Sequence, residues 1–372
     1  MPSLSETIAR LSAARGMGRA AACPTRLSEL TLSGSNPGAL KAYTYLPDGL
    51  PPNAPLVVVL HGCTQTAADY DQGSGWSQLA DRHGFALLFP EQQRANNPNL
   101  CFNWFVPGDI HHDGGEALSI AQMIRGMIEA HQLDRRRIFV TGLSAGGAMA
   151  AVMLATHPGL FAGGAVVAGL PFGCAASVPE ALSLMRGQGL PDQATLVRAV
   201  KAASPHAGPW PSLSVWHGLN DHTVAPANGE AVLSQWRGLH GLAEAPSETM
   251  ELGRHSRRIW RDASGVAKIE AFAIAGMGHG TPIAAGDGIG VPGAYMLDAG
   301  ISSTQHIAAF WQIAAPVEAR AAERPSSDAS TTSSAKPGFR PLLPPGLKPS
   351  TPVLSGPAKV IQDALKAAGL MR

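Results

Sequence analysis

The sequence lacks long apolar runs, strong charge of either sign and a dense set of cysteines. Its most apolar run near the front, Leu56–Leu60, has five residues, whereas a membrane-spanning helix needs about twenty. The N-terminal region also contains no apolar core of the length that a secretory leader requires. We therefore expect no membrane span and recognise no Sec signal peptide.

The composition also excludes several kinds of partner. The chain has 372 residues, and its 28 Lys and Arg balance 27 Asp and Glu to a formal charge of +1, so no nucleic-acid partner is expected. Four cysteines do not form a disulfide scaffold. No Cys-x-x-Cys pair, His-rich ligand spacing or glycine-rich nucleotide turn occurs, so the sequence predicts no metal and no cofactor.

What is present is an alternation of apolar runs with helical segments, the pattern of a mostly parallel sheet covered by helices on both faces. The predicted strands are 56–60, 86–89, 138–141, 164–168, 212–216 and 269–274. We assign residues 31–315 to one α/β catalytic domain and residues 1–30 to an amphipathic extension. Residues 316–372 are predicted to be a Pro- and Ser-rich linker tail that ends in a short helix. A second folded domain is not expected there.

The sharpest local signal is Gly142-Leu143-Ser144-Ala145-Gly146, directly after a predicted strand and before a helix-compatible run. A serine on such a strand-to-helix turn protrudes as a nucleophile, and its neighbours must be small because the backbones approach closely. The motif therefore predicts Ser144 as a nucleophile.

An acid and a base are then expected after later strands, in the order Ser, Asp, His. Asp221 follows the strand 212–216, and His279 lies between glycines after the strand 269–274. We predict that His279 accepts the Ser144 proton and that Asp221 orients His279. Four other histidines near the predicted motifs are interpreted as structural: His61, His217, His222 and His306.

Acyl transfer also requires two backbone N–H groups that stabilise the oxyanion. Ala145, the residue after the nucleophile, is expected to supply one of them. The other is expected from the loop after the strand 56–60, where Cys63 is our first choice and Gly62 the alternative.

Together with the serine, acid and histidine loops, His61-Gly62-Cys63-Thr64-Gln65 and Cys101-Phe102-Asn103-Trp104-Phe105 resemble the polyhydroxybutyrate depolymerase family of esterases. The resemblance covers roughly residues 30–315. It implies an α/β-hydrolase fold and hydrolysis of short-chain poly(3-hydroxyalkanoate) or its oligomers through an acyl-enzyme, with the same three catalytic residues. Related branches imply an alternative, a feruloyl or acetylxylan esterase. A third possibility is a non-catalytic protein that binds polymer granules.

The resemblance implies further roles for particular residues. Trp104 and Asn103 are expected to contact substrate, although Trp104 is also compatible with an ordinary core position.

Cys63 and Cys101 form a disulfide in one interpretation and are separate thiols in a reducing compartment in the other. An extracellular location follows from the family, and a cytoplasmic one is the alternative because no leader is recognised. The C-terminal helix is a candidate for granule contact.

Overall fold

The computed structural model describes residues 25–31 and 34–317, and its centre is a ten-stranded sheet. The strand order is β1-β2-β4-β3-β5-β6-β7-β10-β9-β8. The block from β4 to β10 is parallel, and the strands outside it pair antiparallel. The strands are β1 (Ser28–Glu29), β2 (Lys41–Tyr45), β3 (Leu56–Leu60), β4 (Ala86–Glu91), β5 (Ile138–Leu143), β6 (Gly163–Val167), β7 (Ser212–Gly218), β8 (Glu248–Leu252), β9 (His255–Arg261) and β10 (Ala267–Ile274).

Helices cover both faces of this sheet, as the alternation predicted. They are α1 (Ala67–Ser74), α2 (Trp76–His83), α3 (Gly115–His131), α4 (Ala145–Thr156), α5 (Val178–Met185), α6 (Gln193–Ala203), α7 (Ala227–His240) and α8 (Ser303–Phe310). A separate pair of short parallel strands, β11 (Thr281–Ile283) and β12 (Met296–Asp298), precedes α8.

The core has two layers because successive strand side chains point to opposite faces. Leu56, Val58 and Leu60 of β3 pack in one layer with α3 and α4, while Val57 and Val59 pack in the other with α1, α2 and α8. Both faces of β3 are therefore buried, which explains its uninterrupted apolar sequence. The two methionines of α3, Met123 and Met127, lie in the core and serve packing.

The sheet extends further than the sequence predicted. The six predicted strands are all present, and the antiparallel strands β1, β2, β8 and β9 add to them. Because β1 pairs with β2, the sheet begins within the segment 1–30 that was interpreted as an extension. The predicted helix near the N-terminus, the linker tail and the terminal helix lie outside the described residues. Among the described helices, none combines the length and apolarity needed to cross a membrane.

Candidate active site

Ser144 occupies a sharp turn between β5 and α4. Its φ of 57° and ψ of −117° are unusual for a residue with a side chain, and its N–H donates to the Val167 carbonyl at 2.9 Å. A Cβ on Gly142 would lie 2.4 Å from the Gly146 backbone, and one on Gly146 would lie 2.3 Å from the Leu60 carbonyl oxygen. The two glycines are therefore required by close backbone approach, and they hold the serine at the N-terminus of α4, where the helix dipole is positive.

The loop after β7 holds Asp221 at the same edge of the sheet. One carboxylate oxygen, Oδ1, accepts the N–H groups of Thr223 and Val224, both at 2.8 Å. A Cβ on Gly218 would lie 2.4 Å from the Met277 carbonyl oxygen, so the absence of a side chain there lets the acid loop pack on the histidine loop. The contact between the two loops brings Asp221 close to His279, which lies 58 positions later in the sequence.

His279 Nδ1 donates a hydrogen bond of 2.7 Å to the second carboxylate oxygen of Asp221. Burial alone would raise the pKa of Asp221, but the hydrogen bond and charge of His279, together with the Val224 N–H and the charge of His217, outweigh burial and hold this pKa below its ordinary value. The lowered pKa keeps the Asp221 carboxylate ionised, and the fully buried side chain is positioned to fix the orientation of the imidazole.

Ser144 and His279 line one cavity of about 100 Å³. Neither the Ser144 hydroxyl nor His279 Nε2 forms a hydrogen bond with another described residue, so both groups remain available to a substrate. A serine and a histidine at one cavity, with the histidine bonded to an aspartate, are the residue types that acyl transfer uses.

The other histidines have different surroundings. His217 contacts the acid loop through a bond of 2.8 Å between Nε2 and the Val224 carbonyl oxygen. Burial lowers the pKa of His61 and of His306 to about 4. His306 packs against the aromatic rings of Trp216 and Phe272 instead of the cavity.

The backbone N–H groups of the loop after β3 differ in whether they have an acceptor within the protein. Gly62 N–H donates to the side-chain oxygen of Gln65 at 2.9 Å, and Thr64 N–H donates to the Asn99 carbonyl at 2.6 Å. Cys63 N–H has no acceptor among the residues that the structure describes. Ala145 is the first residue of α4, where N–H groups have no partner within the helix.

A disulfide joins this loop to the loop that follows β4, and residues of both loops line the cavity. Cys63 and Cys101 are bonded, with sulfurs 2.11 Å apart. Trp104 lines the cavity and is only 7% exposed, with its ring at right angles to Phe105. Asn103, by contrast, does not line the cavity.

The Asn103 amide is instead occupied within its own loop. Its oxygen accepts from Asn97 and its nitrogen donates to Asp109, both at 3.1 Å. The expected contact between Asn103 and substrate therefore gains no support from the cavity, because both polar ends of the side chain are engaged in holding the loop.

A fully buried carboxyl group, Glu116 at the start of α3, supports the same loop. Its Oε2 accepts the Asn103 N–H at 2.9 Å, and its Oε1 accepts from the Gln92 amide at 2.5 Å. Gln92 also donates to the Cys101 carbonyl at 3.1 Å. Burial raises the pKa of Glu116 to about 8. Sequence reasoning missed this residue because nothing local distinguishes it from an ordinary helix-start glutamate.

The remaining walls of the cavity were also missed. They come from α5 and from the loop that precedes β12, and they include Val178, Leu182, Met185 and Tyr295. Ser177 three residues before Glu180, followed by apolar residues, is a helix-start pattern that would have located α5 but not its position over Ser144. Across residues 25–31 and 34–317, no cluster of three His, Cys, Asp or Glu side chains has the spacing of a metal site.

Comparison with known proteins identifies similar chains. The family model of the esterase PHB depolymerases matches residues 40–256. The chain is 45% identical over 291 residues to poly(3-hydroxyalkanoate) depolymerase C of Paucimonas lemoignei, covering 77% of this chain and 70% of that one. It is 33% identical over 266 residues to acetylxylan esterase A of Aspergillus oryzae, covering 69% of this chain and 85% of that one.

A solved structure gives the same picture of the fold. The acetyl xylan esterase from Aspergillus awamori superposes with a TM-score of 0.63 at 28% identity, over 68% of this chain and 93% of that chain. Together with the parallel sheet and the serine turn, this similarity confirms the α/β-hydrolase fold that the resemblance implied.

Proposed function

The chain belongs to the esterase PHB depolymerase family and is a carboxylic ester hydrolase, and from this premise we propose that it hydrolyses short-chain poly(3-hydroxyalkanoate) or its oligomers. The observation that carries the proposal is the cavity beside Ser144, whose walls are mainly aromatic and aliphatic. Such walls suit the hydrocarbon of a polyester, whereas a polysaccharide ester would bring sugar hydroxyls that need polar partners. The 45% identity to a poly(3-hydroxyalkanoate) depolymerase supports the same substrate.

In the proposed reaction, Ser144 Oγ attacks the ester carbonyl carbon while His279 Nε2 takes the hydroxyl proton. Asp221 holds His279 Nδ1–H and stabilises the imidazolium that forms. The N–H groups of Cys63 and Ala145 stabilise the oxyanion. His279 then gives the proton to the departing alcohol oxygen, which leaves the acyl group on Ser144. In the second half of the reaction, His279 takes a proton from the attacking water and returns it to Ser144 Oγ as the acid product leaves.

The choice of Cys63 over Gly62 is supported by the hydrogen bonds of the loop. Gly62 N–H is already bonded to Gln65, so using it would first break that bond. Cys63 N–H has no such competitor in the described part of the chain. An unoccupied, rigidly held donor is what oxyanion stabilisation requires, because it needs no reorganisation during the reaction.

A comparison of substrates tests the proposed function. We expect purified enzyme to release monomer and dimer from 3-hydroxybutyrate oligomers faster than it releases acetate from acetylated xylan or ferulate from methyl ferulate. Ser144→Ala should lose several orders of magnitude in kcat on every substrate while keeping the wild-type circular dichroism spectrum. Preferential hydrolysis of acetylated xylan would assign the chain to the acetylxylan esterase alternative instead. Retained hydrolysis by Ser144→Ala would contradict the nucleophile.

We also propose that the protein works in an oxidising compartment outside the cytoplasm. The Cys63–Cys101 disulfide supports this location, because such bonds are rare in reducing cytosol. Counting free thiols by alkylation and mass spectrometry, on protein trapped with acid from the producing cells and their medium, tests it. A fully reduced pair in a cytosolic fraction would contradict the proposal. Granule contact through the C-terminal helix stays a prediction about residues outside those described.

A further inference from the structure

The helix α5 uses its apolar residues in an unusual way. Val178, Ala181, Leu182 and Met185 recur at helical spacing and line the catalytic cavity; we call these four residues the α5 wall. Only Ala181 and Leu184 of this helix are buried. A short surface helix ordinarily directs its apolar stripe at the core. Here Val178, Leu182 and Met185 are only half-buried and line the cavity, and although Ala181 and Met185 also contact the core, core packing does not account for the whole stripe.

On the basis of the proposed function, we propose that the α5 wall contacts the hydrocarbon of the acyl unit and that Leu182 and Met185 set the longest acyl chain the enzyme accepts. The wall offers hydrocarbon and one thioether, and no hydroxyl, amide or charge. It can therefore stabilise an alkyl group but cannot recognise a polar one. The alkyl branch is the part that differs between short-chain and medium-chain polyhydroxyalkanoates.

Some lining residues on the loops after β3 and β4 have a different chemistry. Gln65, Asn97 and Asn99 contribute amide side chains to the cavity lining, although both ends of the Asn97 amide and the oxygen of the Gln65 amide are already bonded within these loops. Amides suit the ester oxygens and hydroxyl ends of a polyester chain. The cavity therefore combines the apolar α5 wall with aromatic and amide side chains from the loops that follow β3 and β4.

The backbone of α5 is held firmly at the end that carries Met185. The Met185 carbonyl accepts the Ala225 N–H at 2.7 Å, and the buried Asn228 amide donates to the Leu184 carbonyl at 2.8 Å. Both partners lie just after the acid loop. Shortening the Met185 side chain should therefore enlarge the cavity while the helix stays in place.

The expected discrimination follows from the sensitivity of packed apolar sites to single methylenes. One methylene that does not fit changes kcat/KM by roughly 10- to 200-fold. Wild-type kcat/KM on p-nitrophenyl esters should accordingly fall steeply between butyrate and octanoate. Met185→Ala and Leu182→Ala should each raise the octanoate-to-butyrate ratio of kcat/KM at least tenfold.

Leu184→Ala is the matched control, because Leu184 lies on the same helix but is 3% exposed and packs in the core. It should leave the ratio within about twofold of wild type. The ratio is measured within one enzyme preparation, so partial unfolding of a variant cancels. A second series, in which the acyl group is butyrate and the alcohol lengthens from ethanol to octanol, should respond to none of the three variants.

Unchanged ratios in Met185→Ala and Leu182→Ala, an equal rise in Leu184→Ala, or a response confined to the alcohol series would each overturn the proposal. The p-nitrophenyl series requires only esterase activity. A shifted acyl preference in an enzyme that fails to cleave 3-hydroxybutyrate oligomers would therefore support the α5 wall while refuting the polyester as substrate.

Discussion

Removing the Cys63–Cys101 disulfide should weaken both the fold and the proposed oxyanion site. The bond joins positions 38 residues apart and connects the loop after β3 to the wall that carries Trp104. In the chain-entropy model, a loop of this length stabilises the folded state by about 4 kcal/mol through its effect on the unfolded chain. The double variant Cys63→Ala/Cys101→Ala should therefore lose up to about that amount of unfolding free energy.

The catalytic effect should be smaller than the loss of an oxyanion donor. Complete removal of one donor costs roughly 10²- to 10³-fold in kcat. In the double variant, the Thr64 N–H bond to the Asn99 carbonyl still joins the two loops. The Cys63 position keeps its N–H but gains mobility, so we expect kcat to fall about tenfold, within that limit.

Urea denaturation and kcat on p-nitrophenyl butyrate measure the two effects. Cys174→Ala is the control, because Cys174 is a free, half-buried thiol and burial raises its pKa to about 12. Cys174→Ala should leave kcat of the oxidised protein unchanged. It should also leave unchanged the loss of kcat that follows when dithiothreitol reduces the Cys63–Cys101 disulfide. Wild-type stability and wild-type kcat in the double variant would refute the reasoning, since the bond would then constrain neither the unfolded chain nor the loop.

Two further predictions concern ionisable groups. His279→Ala should lower kcat on p-nitrophenyl butyrate by several orders of magnitude. His306→Ala loses contacts with Trp216 and Phe272, so it should lower stability but leave kcat within a few-fold of wild type. The opposite ranking of the two variants in kcat would exclude His279 as the base. Burial raises the pKa of Glu116 to about 8, so the folded state favours the protonated carboxyl group. The contribution of this group to the free energy of unfolding is therefore complete below its ordinary pKa near 4.5 and is lost as the pH rises through 8. Glu116→Gln should flatten that decline in urea denaturation between pH 5 and 8.5, and an equally steep decline in the variant would show that another group causes it.

The parallel strands were predictable because their sequences record burial on both faces. β3 is five consecutive buried residues, so no polar position interrupts its apolar run. In β8 the residues alternate between half-buried and exposed, and its sequence Glu-Thr-Met-Glu-Leu carries two acids. An edge strand of this kind is stabilised by its pairing with β9, and the sequence of β8 alone does not indicate that pairing.

The shared location of the three proposed triad residues was predictable for a related reason. Each follows a strand of the parallel block, and because parallel strands end at one edge of the sheet, Ser144, Asp221 and His279 are expected at that edge. The cavity walls have no such rule. Tyr295 and α5 belong to long connections whose path depends on the whole fold, so their residues could not be assigned to the site from local pattern.

The loop after β3, which we propose supplies an oxyanion donor, shows where reasoning from local sequence stops. Gly62 and Cys63 are adjacent, both have an N–H, and the sequence alone gives no physical reason to prefer one strongly. The difference arises from Gln65, whose side chain turns back and bonds the Gly62 N–H. That bond exists because Gln65 is buried and its amide oxygen needs a donor. The choice of donor therefore depends on the burial of a third side chain, which is fixed only when the loop packs against the rest of the domain.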